Sequence, residues 1–162
     1  MKFNINQNDL QQSLGYCQGV IEKRSTLPIL SNILLDASGS KLKIIATDLD
    51  LVFVNEIKNV EIIEEGKTTT VSSTLYDIIR KFNSGKKINF NQTSENKIQL
   101  ESEKSLFNLN CLSAAEFPVT EEDFNENVFS LESKQLLKLL NKCKFSISND
   151  ETRHYLSGIY LH

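Results

Sequence analysis

Residues 21–35 read IEKRSTLPILSNILL, and the reading of this stretch decides the rest. Lys23 and Arg24 close an amphipathic segment; Ser25, Thr26 and Pro28 follow, then a mostly apolar run. Proline has no amide hydrogen to give to a ladder and pushes the residue before it out of the helical region. The stretch therefore predicts that a helix has finished and that a strand begins at Pro28 and runs to Asp36. Upstream, Lys2 to Asn6 alternates as a strand, and Asn6 or Asn8 is placed to cap a helix. Leu10, Leu14, Cys17 and Ile21 then recur at helical spacing as one apolar stripe, with Gln11, Gln12, Gly15 and Gln18 on the other side.

Downstream, Lys41 to Thr47 and Leu51 to Ile57 read as strands, and Val60–Ile63 and Thr68–Val71 as short ones about Gly66. Ser72 or Ser73 is a candidate cap for a second helix with the stripe Leu75, Ile78, Ile79 and Phe82, ending before Gly85. Three strand-like runs follow, Lys87–Asn91, Lys97–Glu101 and Leu106–Cys111. Residues 113–127 hold Pro118 and the acids Glu116, Glu121, Glu122, Asp123 and Glu126, and read as a linker with a boundary near Asn125.

The opening pattern then returns. Phe129 follows Phe3 by 126 residues, and at that spacing, without a gap, ten positions are identical. They pair Phe3 with Phe129, Leu10 with Leu136, Leu14 with Leu140, Cys17 with Cys143, Ile21 with Ile147 and Thr26 with Thr152. Leu30, Ser31, Ile33 and Leu35 pair with Leu156, Ser157, Ile159 and Leu161. Most are apolar positions of strand, helix and next strand, so one supersecondary unit is used more than once. The first copy continues for some 90 residues beyond Asp36 and the second stops at His162. The expectation is one complete domain, 1–125, and the opening of a second, 126–162 (strand, helix, strand), in a fragment of a longer protein.

Composition excludes several classes. With 40% hydrophobic and 24% charged residues the chain is of globular type, and no apolar run approaches a membrane span. Three cysteines, Cys17, Cys111 and Cys143, are far apart and form no CxxC pair, which fits reduced thiols better than a disulfide or zinc framework. No cofactor or metal is expected. The net charge of −3 conceals segregation, because four lysines and no acid lie between Ser133 and Ser148. Lys134, Lys138 and Lys142 recur every four residues along one side of the third predicted helix, and Arg80, Lys81, Lys86 and Lys87 cluster after the second. Such faces suit a phosphate backbone without reading its sequence; a lysine row is also compatible with a plain solvated face. Asp48 and Asp50, in ATDLDL, have two readings: a carboxylate pair for magnesium-dependent phosphoryl transfer, or a tight turn in which aspartate bonds its own backbone.

Several motifs together resemble one family, the bacterial sliding clamp or beta subunit of DNA polymerase III. They are Met1-Lys2-Phe3, the run Arg24 to Asn32, Thr47-Asp48-Leu49-Asp50, Ala114-Ala115-Glu116-Phe117-Pro118 and Arg153 to Gly158. The resemblance implies an α+β DNA clamp fold of repeated β-α-β-β-β units, with outer antiparallel sheets and two inner helices per domain. It implies no catalysis: the full protein would be a cytoplasmic processivity factor, a homodimeric ring around double-stranded DNA. Its partners would be the polymerase catalytic subunit, the clamp loader and repair proteins, bound through short linear motifs. Arg24, Arg80, Lys81, Lys134, Lys138, Lys142 and His154 would face DNA, His154 standing where the family often has a tyrosine. Asp150 stands where a glutamine occurs, and Ser73 and Thr74 where a basic pair occurs. Arg153, Tyr155 and Leu156 would form part of the partner-peptide pocket. Lys104, Phe107 and Leu109 would form the ring interface, with Leu106 replacing a basic residue there.

Overall fold

The structure is a computed structural model and describes residues 1–21, 27–118, 129–148, 150 and 152–161. The chain divides into two compact units, Met1–Thr120 and Glu121–His162.

In the first unit the element order is β1 (Lys2–Asn6), α1 (Gln7–Cys17), a 3-10 turn (Pro28–Ser31), β2 (Asn32–Ser38), β3 (Lys41–Thr47), β4 (Val52–Ile57) and β5 (Val60–Glu64). It continues with β6 (Gly66–Val71), α2 (Ser72–Ile79), β7 (Lys87–Ser94), β8 (Lys97–Ser102), β9 (Ser105–Leu112) and a 3-10 turn (Ala114–Glu116). All strand pairs are antiparallel, in the order β4-β3-β2-β6-β9-β8-β7-β1-β5. The sheet bends into two layers at two corners. At β9, residues up to Asn110 pair with β8, whereas Cys111 and Leu112 pair with β6. At Lys58 and Asn59, β4 hands over to β5 at the opposite end of the strand order.

This order contains a duplication that the spacing of 126 does not reveal. The path β1-α1-β2-β3-β4 is retraced by β6-α2-β7-β8-β9, and β1 pairs with β7 as β6 pairs with β2. Leu10 and Leu75, and Leu14 and Ile79, are the matching core contacts of the two helices, all fully buried. The fold class expected from the sequence, an α+β clamp fold with β-α-β-β-β units, is the one observed.

Both helices lie over one core built from Phe3, Ile5, Ile33, Leu35, Leu42, Ile44, Ile88, Phe90, Ile98 and Leu100. They are antiparallel and pinned at both ends. Gln7 Nε2 donates to the Ile79 carbonyl at 2.8 Å, and Gln18 Nε2 donates to Ser72 Oγ at 2.8 Å. Asn6 is the α1 cap, accepting from the Asn8 amide at 2.9 Å. The helices are not enclosed by sheet, for Gln12, Tyr16, Asp77 and Arg80 are exposed.

Four local expectations are corrected. Pro28–Ser31 is a 3-10 turn, and the strand starts at Asn32: proline cannot join the ladder, and Leu30 turns into the core instead. Ser72 is the first residue of α2 and its hydroxyl is engaged by Gln18, so Val71 stands at the cap position without a side-chain bond. Helix α2 ends at Ile79, well before Gly85, which has φ +76° in the turn to β7. Part of the expected linker is packed, because Phe117 is buried against Leu34 and Ile45; the boundary near Asn125 lies outside the described residues.

The second unit contains α3 (Ser133–Cys143), two 3-10 turns, Lys144–Ser146 and His154–Leu156, and no strand among its described residues. Helix α3 is α1 moved by 126 residues at both bounds, and the 3-10 turn at His154 stands at the repeat position of the one at Pro28. Among the described residues neither the strand expected near Phe129 nor the one expected over 154–162 forms, and His154–Leu156 is a 3-10 turn instead. Phe129, Tyr155 and Tyr160 are accordingly more than 80% exposed.

Candidate nucleic-acid interface

The apolar stripes of α1 and α2 turn Leu10, Leu14, Cys17, Leu75 and Ile79 inward, which fixes what their other faces present. From α1 these are Asn8, Gln11, Gln12, Gly15 and Tyr16; α2 adds Tyr76, and the six line one open hollow between the helices. None of them carries a formal charge. Gln7 donates to Gln11 Oε1 at 2.6 Å, and Gln12 Nε2 donates to the Tyr16 hydroxyl at 3.1 Å. Asn8 Oδ1 accepts from Ser84 Oγ at 2.8 Å, which ties α1 to the turn before β7.

Arg80 lies over the Tyr76 ring, 5.4 Å from its centre, and forms a long ion pair with Asp77 at 3.8 Å. It is exposed but partly committed to its own helix. Lys81 follows it, exposed, as are Ser73 and Thr74. Arg24 lies outside the described residues.

On α3, Lys134, Lys138 and Lys142 are all exposed along one side, and Glu132 stands before the helix. On the opposite, apolar side Leu136 and Leu139 are 37% and 53% exposed, Leu140 is half-buried and Cys143 is exposed. His154 opens the 3-10 turn, and its side chain is not described. Asp150 accepts from the Thr152 hydroxyl and amide, and these bonds hold its carboxyl below the usual range. It also pairs with Arg153 at 3.4 Å. Tyr155 and Leu156 are 82% and 44% exposed.

The structure divides the proposed ring-interface residues. Phe107 is half-buried edge-on to Phe82, 5.7 Å between ring centres. Lys104 is exposed in the turn after β8, next to Glu103, which has φ +54° and is held below the usual carboxylate range by Lys86 and Asn83. Leu109 is 8% exposed and packs with the core, because β9 alternates Phe107, Leu109 and Cys111 inward and Leu106, Asn108 and Asn110 outward. Among the described residues, Ser105–Asn110 pairs only with β8, so one side of the strand is open.

Asp48 and Asp50 form a turn. Asp48 Oδ1 accepts the amides of Asp50 at 3.0 Å and Leu51 at 2.7 Å. That oxygen serves the backbone, and among the described residues no group of three or more acidic, histidine or cysteine side chains is arranged to hold a metal ion. The three cysteines are free, Cys17 and Cys111 buried and Cys143 exposed. No helix among the described residues is long and apolar enough to cross a membrane.

Sequence reasoning missed the tyrosines of the hollow and the role of Asn8. The signal was present at the spacing of 126: Asn8, Gln12 and Tyr16 are the repeat positions of Lys134, Lys138 and Lys142.

A twice-traced antiparallel shell with two helices bearing on one core, and a lysine-lined copy of the first helix further on, define a clamp-type domain. Comparisons place it. Residues 1–121 match the family described as DNA polymerase III beta subunit, N-terminal domain. The chain is 38% identical to the beta sliding clamp of Caulobacter vibrioides over 163 residues, covering 100% of this chain and 44% of that protein. It is 31% identical to that of Escherichia coli K12, covering 98% and 43%. Among solved structures, the Caulobacter crescentus sliding clamp superposes with a TM-score of 0.92 at 38% identity, over 100% of this chain and 44% of that one. The Bartonella birtlesii clamp bound to griselimycin superposes at 0.95 with 36% identity, over 100% and 43%. The chain belongs to the DNA polymerase III beta subunit family, and spans less than half the length of these relatives.

Proposed function

We propose that this chain supplies the first clamp domain, and the opening of the second, of a non-catalytic processivity factor. In complete form it is a homodimeric ring that encircles duplex DNA in the cytoplasm, slides on it and tethers the polymerase and other partners through short linear motifs. The observation that carries the reading is the coincidence of α1 and α3 in the repeat, in a chain that matches sliding clamps along its whole length. A ring needs one element repeated around its inner wall, and the lysines of α3 are spaced to meet phosphates there. A ring also needs edges that join, and the open side of β9 beside Leu106 and Phe107 supports placing one there. Arg24, Arg80, Lys81 and His154 are assigned to the DNA side, and Arg153, Tyr155 and Leu156 to the partner-peptide side.

The test is topological. Loaded on nicked circular DNA, the full-length ring should stay bound through gel filtration and leave when the circle is cut. Equal retention on linear DNA, or none on the circle, would sink the reading.

A further inference from the structure

The first helix of the repeat is the same element as the third, yet the faces that correspond differ in charge. Lys134, Lys138 and Lys142 of α3 stand at the positions of Asn8, Gln12 and Tyr16 of α1. In the first unit those three residues, with Gln11, Gly15 and Tyr76, line the hollow between the helices. The two helices with the residues that end α2 carry Asp9, Asp77, Arg80 and Lys81, which cancel. Arg80 is also drawn back onto Asp77 and Tyr76.

We propose that, beside the cations Arg24, Arg80 and Lys81, the first unit offers the polyanion met by α3 an uncharged seat of amides and tyrosine hydroxyls, which contributes to DNA contact without contributing to its salt dependence. This rests on the reading above. The orientation of the hydrogen bonds supports it. Gln11 Oε1 is occupied by Gln7, which leaves the Gln11 amide NH₂ to donate. The Tyr16 hydroxyl accepts from Gln12, which leaves its own hydrogen to donate. Tyr76 brings a second phenol to the hollow. Phosphodiester and sugar ring oxygens are acceptors, so a concave surface biased toward donors matches a nucleic-acid backbone. A neutral donor releases no counterion from DNA, whereas a lysine that neutralises one phosphate adds about 0.9 to the log–log salt slope.

The experiment is a salt series of fluorescence anisotropy with this chain and a short labelled duplex, each variant first shown to melt as a folded protein. Gln11→Ala with Gln12→Ala should weaken binding by a factor of about five, the weight of one hydrogen bond, equally at every salt concentration. Asn8→Lys and Gln12→Lys should each steepen the slope by about 0.9, and Lys134→Asn and Lys138→Gln should each flatten it by about 0.9. If the glutamine-to-alanine pair leaves affinity unchanged while the α3 variants still move the slope, the neutral seat is wrong and the clamp reading stands. If the unaltered chain binds no duplex at low salt, or the α3 variants change nothing, the helix faces do not meet DNA and the neutral seat falls, while the clamp reading stands or falls on the retention of the full-length ring on circular DNA.

Discussion

Phe3 and Phe90 stack across the ladder that joins β1 to β7, with ring centres 4.6 Å apart and planes 12° from parallel. Neither ring touches solvent. The pair unites the start of the chain with the strand that follows α2, which are the two halves of the duplicated path. Phe3→Ala should cost about 3–5 kcal/mol, the usual weight of a buried phenylalanine and the cavity it leaves. Phe3→Leu should cost about 1–2 kcal/mol, since it keeps apolar volume but forfeits the stack. Urea unfolding followed by circular dichroism measures both. Equal costs for the two substitutions would mean that the aromatic ring and its stack, which both variants lose, carry the whole effect and that the volume leucine keeps offsets none of it.

Much of this core was legible. The stripe Leu10, Leu14, Cys17 marks α1, its repeat marks α3, and the alternation in Lys41–Thr47 marks β3 at its observed bounds. What was hidden depends on partners distant in sequence. The duplication inside the first unit keeps only Leu10 and Leu75 identical among its buried helix positions, so pairing shows what residue identity does not. The strand at Asn32 begins later than Pro28 suggests because ladder membership depends on β6 and β3. At the interface, lysines announce themselves by charge, whereas the hollow of amides and tyrosines has no charge signature. The burial of Leu109 follows from strand periodicity alone, since Phe107 and Cys111 share its face.

Leu49 has φ +84°, in the left-handed region that costs a branched side chain free energy, and is 56% exposed at the tip of the Asp48 turn. The turn bonds run through Thr47 and Asp48, so the leucine side chain does not build it. Leu49→Asn should stabilise the first unit by about 0.5–1 kcal/mol, because asparagine tolerates this conformation and little burial is lost. The melting temperature should rise by about 2–4 °C. A fall would show that the exposed leucine is held by contacts this turn does not explain.

Gly66 begins β6 directly against Met1. An added Cβ would lie 2.8 Å from Met1 Cβ and 3.3 Å from the Met1 backbone. Met1 is buried, its carbonyl accepts from the Gln92 amide and its amino group pairs with Glu64 at 3.5 Å, so retreat breaks several contacts together. Gly66→Ala should therefore destabilise by about 1–3 kcal/mol. Hydrogen exchange should quicken first at Gln92 and along β1, where the displaced residue is bonded. Unchanged exchange there with lowered overall stability would place the strain elsewhere.

Cys17 and Cys143 occupy the same position of the repeated helix in opposite surroundings, the first buried and the second exposed. Burial pushes the Cys17 thiol up to about 12 from an ordinary 9.0, against a smaller lowering by a backbone hydrogen bond. The folded chain thus keeps a proton that the unfolded chain releases. The stability tied to this group is intact below pH 9 and declines as pH climbs from there toward 12. Maleimide at neutral pH should label Cys143 in the native protein and leave Cys17 untouched until unfolding, as mass spectrometry of tryptic peptides would read. Cys17→Ala should lower stability at pH 7 through the lost packing, yet flatten the decline above pH 9. Native labelling of Cys17 at a rate near that of Cys143, or an unaltered alkaline slope in the alanine variant, would show that the first helix does not seal its thiol into the core.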